Sequence, residues 1–122
     1  MSDSRKERRR YPRHYAVIAD YRVIGQGPMK VTQVKNISAV GICLILYENV
    51  SIGTGLELEI YLPDNAPALL AKGKVVWVKE FKVKSELKIR FDVGIAFYEI
   101  NESDTERIAR YVSSLASGLN TE

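Results

Sequence analysis

The sequence predicts an all-β protein: a six-stranded antiparallel β-barrel with a C-terminal α-helix and a flexible basic N-terminal tail. Three observations carry this expectation. Between residues 16 and 99, segments rich in Val, Ile and Tyr recur between turn signals, several of them alternating polar and apolar residues with period two. After Glu102 the apolar residues change to a helical spacing. Before residue 15 there is almost no apolar side chain and a dense run of arginine. Closing a small sheet into a barrel hides its edge strands, and one helix suffices to cover an open mouth.

Each element has a local cause. Residues 16–24 form the first expected strand, and Gly25-Gln26-Gly27-Pro28 turns the chain. Its glycines lack the third glycine and the following helix of a nucleotide-binding loop. Residues 30–35 alternate as a half-buried strand does, residues 36–41 read as a turn, and residues 41–46 are a short apolar strand. In residues 56–62, Leu56, Leu58, Ile60 and Leu62 share one face and Glu57 and Glu59 the other, which is a solvated one. Residues 63–67 are a loop. Residues 70–79 and 88–99 are the last two strands, with residues 81–87 as a charged connection. Asn101 or Ser103 caps the helix, whose first turn carries acidic residues that suit its positive end. Ile108, Tyr111, Val112 and Leu115 make its apolar stripe, and Gly118 is the expected stop.

A length of 122 residues suits one domain, divided here into a tail over residues 1–14 and a barrel with its helix over residues 15–122. One cysteine and one histidine exclude an internal disulfide and the usual Cys/His zinc sets. No apolar run is long enough for a membrane span, and the charged start does not read as a signal peptide. The expected location is cytoplasmic, without direct membrane insertion. The net charge of +3 is unevenly placed: residues 1–14 hold six basic and two acidic residues, and the remainder holds 12 basic and 13 acidic. An anionic partner is therefore expected at the N-terminal end. Pro12 argues against a long basic helix there.

Little in the chain suits catalysis, and no enzyme is expected. The single His14 lies beside the arginines, where positive charge disfavours its protonation. Two Asn-x-Ser sequences, at Asn36 and Asn101, match a glycosylation acceptor and are expected to be inert. Cys43 reads as a small core residue. Two segments carry the chemistry. Glu7-Arg8-Arg9-Arg10-Tyr11-Pro12-Arg13 offers guanidinium forks that pair with phosphate and stack on flat rings. By itself it is equally a solvated basic tail. Asn36-Ile37-Ser38-Ala39-Val40-Gly41 supplies turn hydrogen bonds and a glycine of unusual backbone freedom. By itself it is a turn.

Taken in order, Arg9-x-x-x-Arg13 followed by Asn36-x-Ser38-x-x-Gly41 resembles the signature of the PilZ domain family. Lys74-Val75-Val76-Trp77-Val78 is similar to the family's Trp-bearing strand, Asp92-Val93-Gly94-Ile95-Ala96-Phe97 to its last strand, and a closing helix follows. The resemblance runs over residues 7–115. It implies a six-stranded barrel with a C-terminal helix and a receptor for cyclic di-GMP, with no cofactor. Arg9 and Arg13 would meet phosphate oxygens and the N7/O6 edge of guanine. Asn36 would accept from the guanine N1–H and N2–H edge, Ser38 would hydrogen-bond to the ligand, and Gly41 would let the backbone come close. Where relatives carry Asp, Asn36 offers one neutral acceptor instead of two charged ones. The resemblance ties Arg8, directly before Arg9, to two stacked cyclic di-GMP molecules per protomer.

Trp77 has two readings, a core or barrel-lining residue and a wall near the ligand. The resemblance implies an output through an unidentified downstream protein, with motility, adhesion or exopolysaccharide machinery typical of the family. A nucleic-acid partner is not expected, because beyond residue 14 the chain is net negative. The alternative within the same fold is an adaptor that binds a protein and no nucleotide.

Overall fold

The computed structural model describes residues 17–83 and 88–121. It has strands β1 (Ile18–Val23), β2 (Lys30–Ser38), β3 (Gly41–Leu46), β4 (Gly55–Tyr61), β5 (Leu69–Val83) and β6 (Lys88–Ile100), then helix α1 (Glu102–Thr121). The strands close into a barrel in the order β1-β2-β3-β6-β5-β4, with β4 returning to β1, and every pairing is antiparallel. The expected six-stranded barrel and its helix are both present. The tail over residues 1–14 lies outside the described residues.

Period-two alternation builds the core. Leu56, Leu58 and Ile60 of β4 point inward, as their spacing predicts, and Ile42, Leu44 and Leu46 of β3 meet them with Val93 and Ile95 of β6. Glu57 and Glu59 face outward: Glu57 pairs with Arg22 of β1, and Glu59 accepts the Tyr61 hydroxyl at 3.1 Å. Two carboxylates, Glu59 and Asp20, accept from the Tyr61 hydroxyl; burial first, then these acceptors, push its pKa up to about 12. Ile108 of α1 is fully buried, with Tyr111 and Val112 half-buried against the same core. Arg107 donates to both carboxylate oxygens of Asp64, at 2.7 and 2.8 Å, and ties the helix to the loop after β4. That pairing holds the Asp64 carboxyl below the usual range.

Of the two expected caps, Asn101 precedes the helix, and its carbonyl accepts from the amides of Asp104 and Thr105. Four expectations need correction. Gly118 does not stop the helix, which runs on to Thr121. A glycine costs about 1 kcal/mol in a helix interior relative to alanine, and ends a helix only where the chain turns left-handed. Leu115 closes the predicted stripe but stays half-exposed. Residues 36–38 are not a turn but the end of β2, because the hairpin to β3 needs only Ala39 and Val40, with Ser38 opposite Gly41. Residues 81–83 are not a connection but part of β5, paired with Arg90, Ile89 and Lys88.

Candidate functional site

The motif residues of the barrel gather on the outer surface of β2, β3, β6 and β5. A β-bulge in β2 between Val34 and Asn36 inserts Lys35 and changes the inward and outward register. Val34 and Ile37 pack toward the core, while Lys35, Asn36 and Ser38 are exposed. The bulge thus turns Asn36 outward. Ser38 Oγ accepts the Val40 amide at 3.3 Å, so it braces the hairpin that carries Gly41.

Across the sheet, Ser38 pairs with Gly41 and Gly41 with Ala96; one step along, Asn36 pairs with Cys43, Cys43 with Gly94, and Gly94 with Trp77. The surface between Asn36 and Trp77 is therefore floored by small residues. Gly41 is there for room and not for an unusual angle: the described glycines with positive φ are Gly25, Gly27 and Gly53. A Cβ on Gly41 would lie 2.4 Å from the Ile95 carbonyl oxygen. Gly94 has a different neighbour. A Cβ there would lie 2.0 Å from Nε1 of Trp77, so the indole lies directly on the Gly94 backbone. Trp77 is 45% exposed and stands outside the barrel, which decides against the core reading.

A charged cluster that the motifs did not indicate adjoins this floor. Asp92 of β6 is 1% exposed, although it lies on the outward register. Lys35 Nζ reaches over β3 to Asp92 at 2.6 Å, and Arg90 Nε donates to the same carboxylate at 3.1 Å. Burial acts to raise the Asp92 carboxyl, but hydrogen bonds from Lys35 and Arg90, with their charges, overcome it and hold it below the usual range. The Phe81 ring sits among three cations: Arg90 Cζ at 4.9 Å, Lys79 Nζ at 5.3 Å and Lys35 Nζ at 5.9 Å from its centre. The signal available in the sequence was a lone acid inside the apolar run Phe91-Asp92-Val93.

Cys43 is buried, as expected. Burial, and next the Asp92 charge, push its thiol up. Only the thiolate reacts. Cys43 should therefore label with a disulfide reagent at pH 8 at least a hundredfold more slowly in the folded protein than in denaturant. Labelling of the folded protein within a few-fold of the unfolded rate would contradict this.

Of the residues singled out in the sequence, Asn36, Ser38, Gly41 and Trp77 come together on this face. Arg8, Arg9 and Arg13 lie outside the described residues. A groove of about 670 Å³ on the β1, β4 and β5 side is lined by Arg22, Glu57, Glu59 and Lys72 among others, and includes none of these motif residues.

The family model of the PilZ domain matches residues 7–114. The chain belongs to the PilZ domain family. Its barrel is similar to the solved structure of MrkH from K. pneumonia in the apo state (TM-score 0.74, 16% identity, 88% of this chain and 50% of that one). It is also similar to the Bacillus subtilis inhibitor of motility MotI/DgrA (TM-score 0.62, 22% identity, 87% of this chain and 48% of that one). A further match is MrkH solved as its c-di-GMP complex (TM-score 0.67, 15% identity, 87% of this chain and 49% of that one). This PilZ chain spans about half the length of each of these structures. No curated protein matches it in sequence. PilZ domains are binding domains, and among the described residues no cluster of His, Cys, Asp and Glu is placed to hold a metal ion. No described helix is long and apolar enough to cross a membrane.

Proposed function

We propose that this chain is a receptor for cyclic di-GMP, and that the ligand lies on the outer face between Asn36 and Trp77. The observation that carries this reading is the polar edge at Asn36 and Ser38 facing the half-exposed Trp77 indole across β3 and β6, where Gly41, Cys43 and Gly94 put no large side chain between them. A half-exposed indole gives a planar base a face to stack on, and Asn36 supplies a donor and an acceptor for its edge. The c-di-GMP complex of MrkH, which shares the fold, supports the choice of ligand.

The phosphates fall to Arg8, Arg9 and Arg13. β1 begins beside Gln33 of β2, three residues from Asn36. The five residues from Arg13 to Ile18 span at most about 17 Å, which keeps that arginine within reach of the floor. The ligand carries one negative charge on each of its two phosphodiesters. Each charge-assisted hydrogen bond contributes about 1.5–3 kcal/mol. Four or five of them, less the cost of closing the tail, fit a Kd between micromolar and nanomolar, or about −8 to −12 kcal/mol. Arg8 before Arg9 supports a pair of stacked ligands per protomer.

Binding draws residues 1–14 over the barrel and covers their positive charge. A downstream protein reads the changed surface. A PilZ adaptor without nucleotide is the other reading, and one titration separates the two. Calorimetry with cyclic di-GMP should give saturable binding, micromolar or tighter, at two ligands per chain. Arg9→Ala and Arg13→Ala should each weaken it at least a hundredfold while circular dichroism stays unchanged. Absence of heat from the folded protein at high ligand concentration would leave the adaptor.

A further inference from the structure

We propose that Lys35, Lys79 and Arg90, gathered around Phe81, form an anion subsite that takes a phosphodiester of the second ligand in the stacked pair. This rests on the two-ligand reading above. Two stacked cyclic dinucleotides bring four negative charges to the surface, and Arg8, Arg9 and Arg13 offer three positive ones. Further positive charge, held on the barrel itself, lies beside the floor. The outward residues of β5 are Trp77, then Lys79, then Phe81, opposite Gly94, Asp92 and Arg90 of β6. Lys79 follows Trp77 by two residues, or about 7 Å along the strand, within the reach of a lysine side chain toward a ligand seated against the indole.

Charge density makes the cluster more than a solvated face. Three cations lie within 5.9 Å of one ring centre. Among the described residues the carboxylate that pairs with two of them is Asp92, which is buried beneath. The cluster therefore keeps positive charge toward solvent, although the chain beyond residue 14 is net negative. Asp92 and the Phe81 ring hold the three side chains in place, so an anion arriving there finds donors already oriented. Lys35 directly precedes Asn36, so the subsite is continuous with the polar edge of the floor.

Lys79→Glu tests this without disturbing the Asp92 pairs. Lys82 is a matched control: it is exposed, lies on the same strand, and has the opposite register, facing Ile89. Calorimetric titration with cyclic di-GMP should show two ligands per chain in the wild type and in Lys82→Glu. Lys79→Glu should keep the first ligand within about threefold and weaken the second at least tenfold. Equal loss in both variants would reduce the effect to net charge and overturn the subsite, as would no loss in either. A wild type that binds one ligand also overturns the subsite and leaves the receptor standing. A folded wild type that binds none removes the receptor reading itself.

Discussion

Replacing both cations of the Asp92 cluster, Lys35→Met with Arg90→Met, should destabilise the barrel by about 3–5 kcal/mol, the range for leaving one member of a buried ion pair unpaired. The asymmetry lies in burial. The Asp92 side chain is 2% exposed, while those of Lys35 and Arg90 are 48% and 32% exposed. Removing the acid (Asp92→Asn) leaves two cations that still reach water, and should cost only about 1 kcal/mol. Removing the cations leaves a carboxylate with nowhere to go. At about 3–5 °C of melting temperature per kcal/mol for a chain of this size, the double variant should melt about 6–20 °C below Asp92→Asn. Acid provides the check on mechanism. In the wild type the depressed Asp92 pKa gives stability that is present above the ordinary carboxylate range and is lost as pH falls through the folded value. In the double variant burial acts unopposed and raises that pKa, so protonation relieves the penalty. The gap between wild type and variant should therefore narrow from pH 7 to pH 4 in urea unfolding. A gap that is independent of pH would assign the loss to packing and refute the ion-pair account.

The same cluster shows where the sequence stopped being legible. Alternation in Leu56-Glu57-Leu58-Glu59-Ile60 announces which side faces the core, because period two and burial on one face are nearly the same statement. The barrel and the helix followed from such local signals, and the motif residues Asn36, Ser38 and Gly41 from the resemblance to the PilZ signature. The Asp92 pairing did not, since Lys35 lies 57 positions earlier and one strand removed, and only closure of β2, β3 and β6 brings the two together. The bulge at Lys35 was hidden for the same reason: alternation to residue 35 continues into an apparent turn, and the extra residue appears only against β3. Trp77 lay between two readings because an apolar strand context describes both faces of β5. Its position outside the barrel, over Gly94 of the neighbouring strand, rules out the core reading, and that is a contact between strands.

The second large effect is expected at that contact. Gly94→Ala should displace Trp77 from the floor and weaken cyclic di-GMP binding at least tenfold. The new Cβ would stand 2.0, 2.2 and 2.6 Å from Nε1, Cε2 and Cδ1 of the indole, all well inside van der Waals contact. The obstacle is the far end of a side chain that is already 45% exposed, so the indole swings into solvent and the strands stay paired. The cost in stability should be at the lower end of the roughly 1–3 kcal/mol of overpacking. Gly41→Ala makes the contrast. Its Cβ meets the Ile95 carbonyl oxygen at 2.4 Å, and backbone yields only if β3 and β6 part, so it should cost more stability than Gly94→Ala. Trp77 is the single tryptophan, so its emission reports the displacement without interference from another indole. Gly94→Ala should shift the emission to the red in the folded protein, and Trp77→Ala should weaken binding to a similar degree with Gly94 intact. Unchanged emission in Gly94→Ala would mean that the indole has room the structure does not give it. A red shift with full affinity would remove Trp77 from the ligand wall and leave Asn36, Ser38 and the arginines to hold the nucleotide.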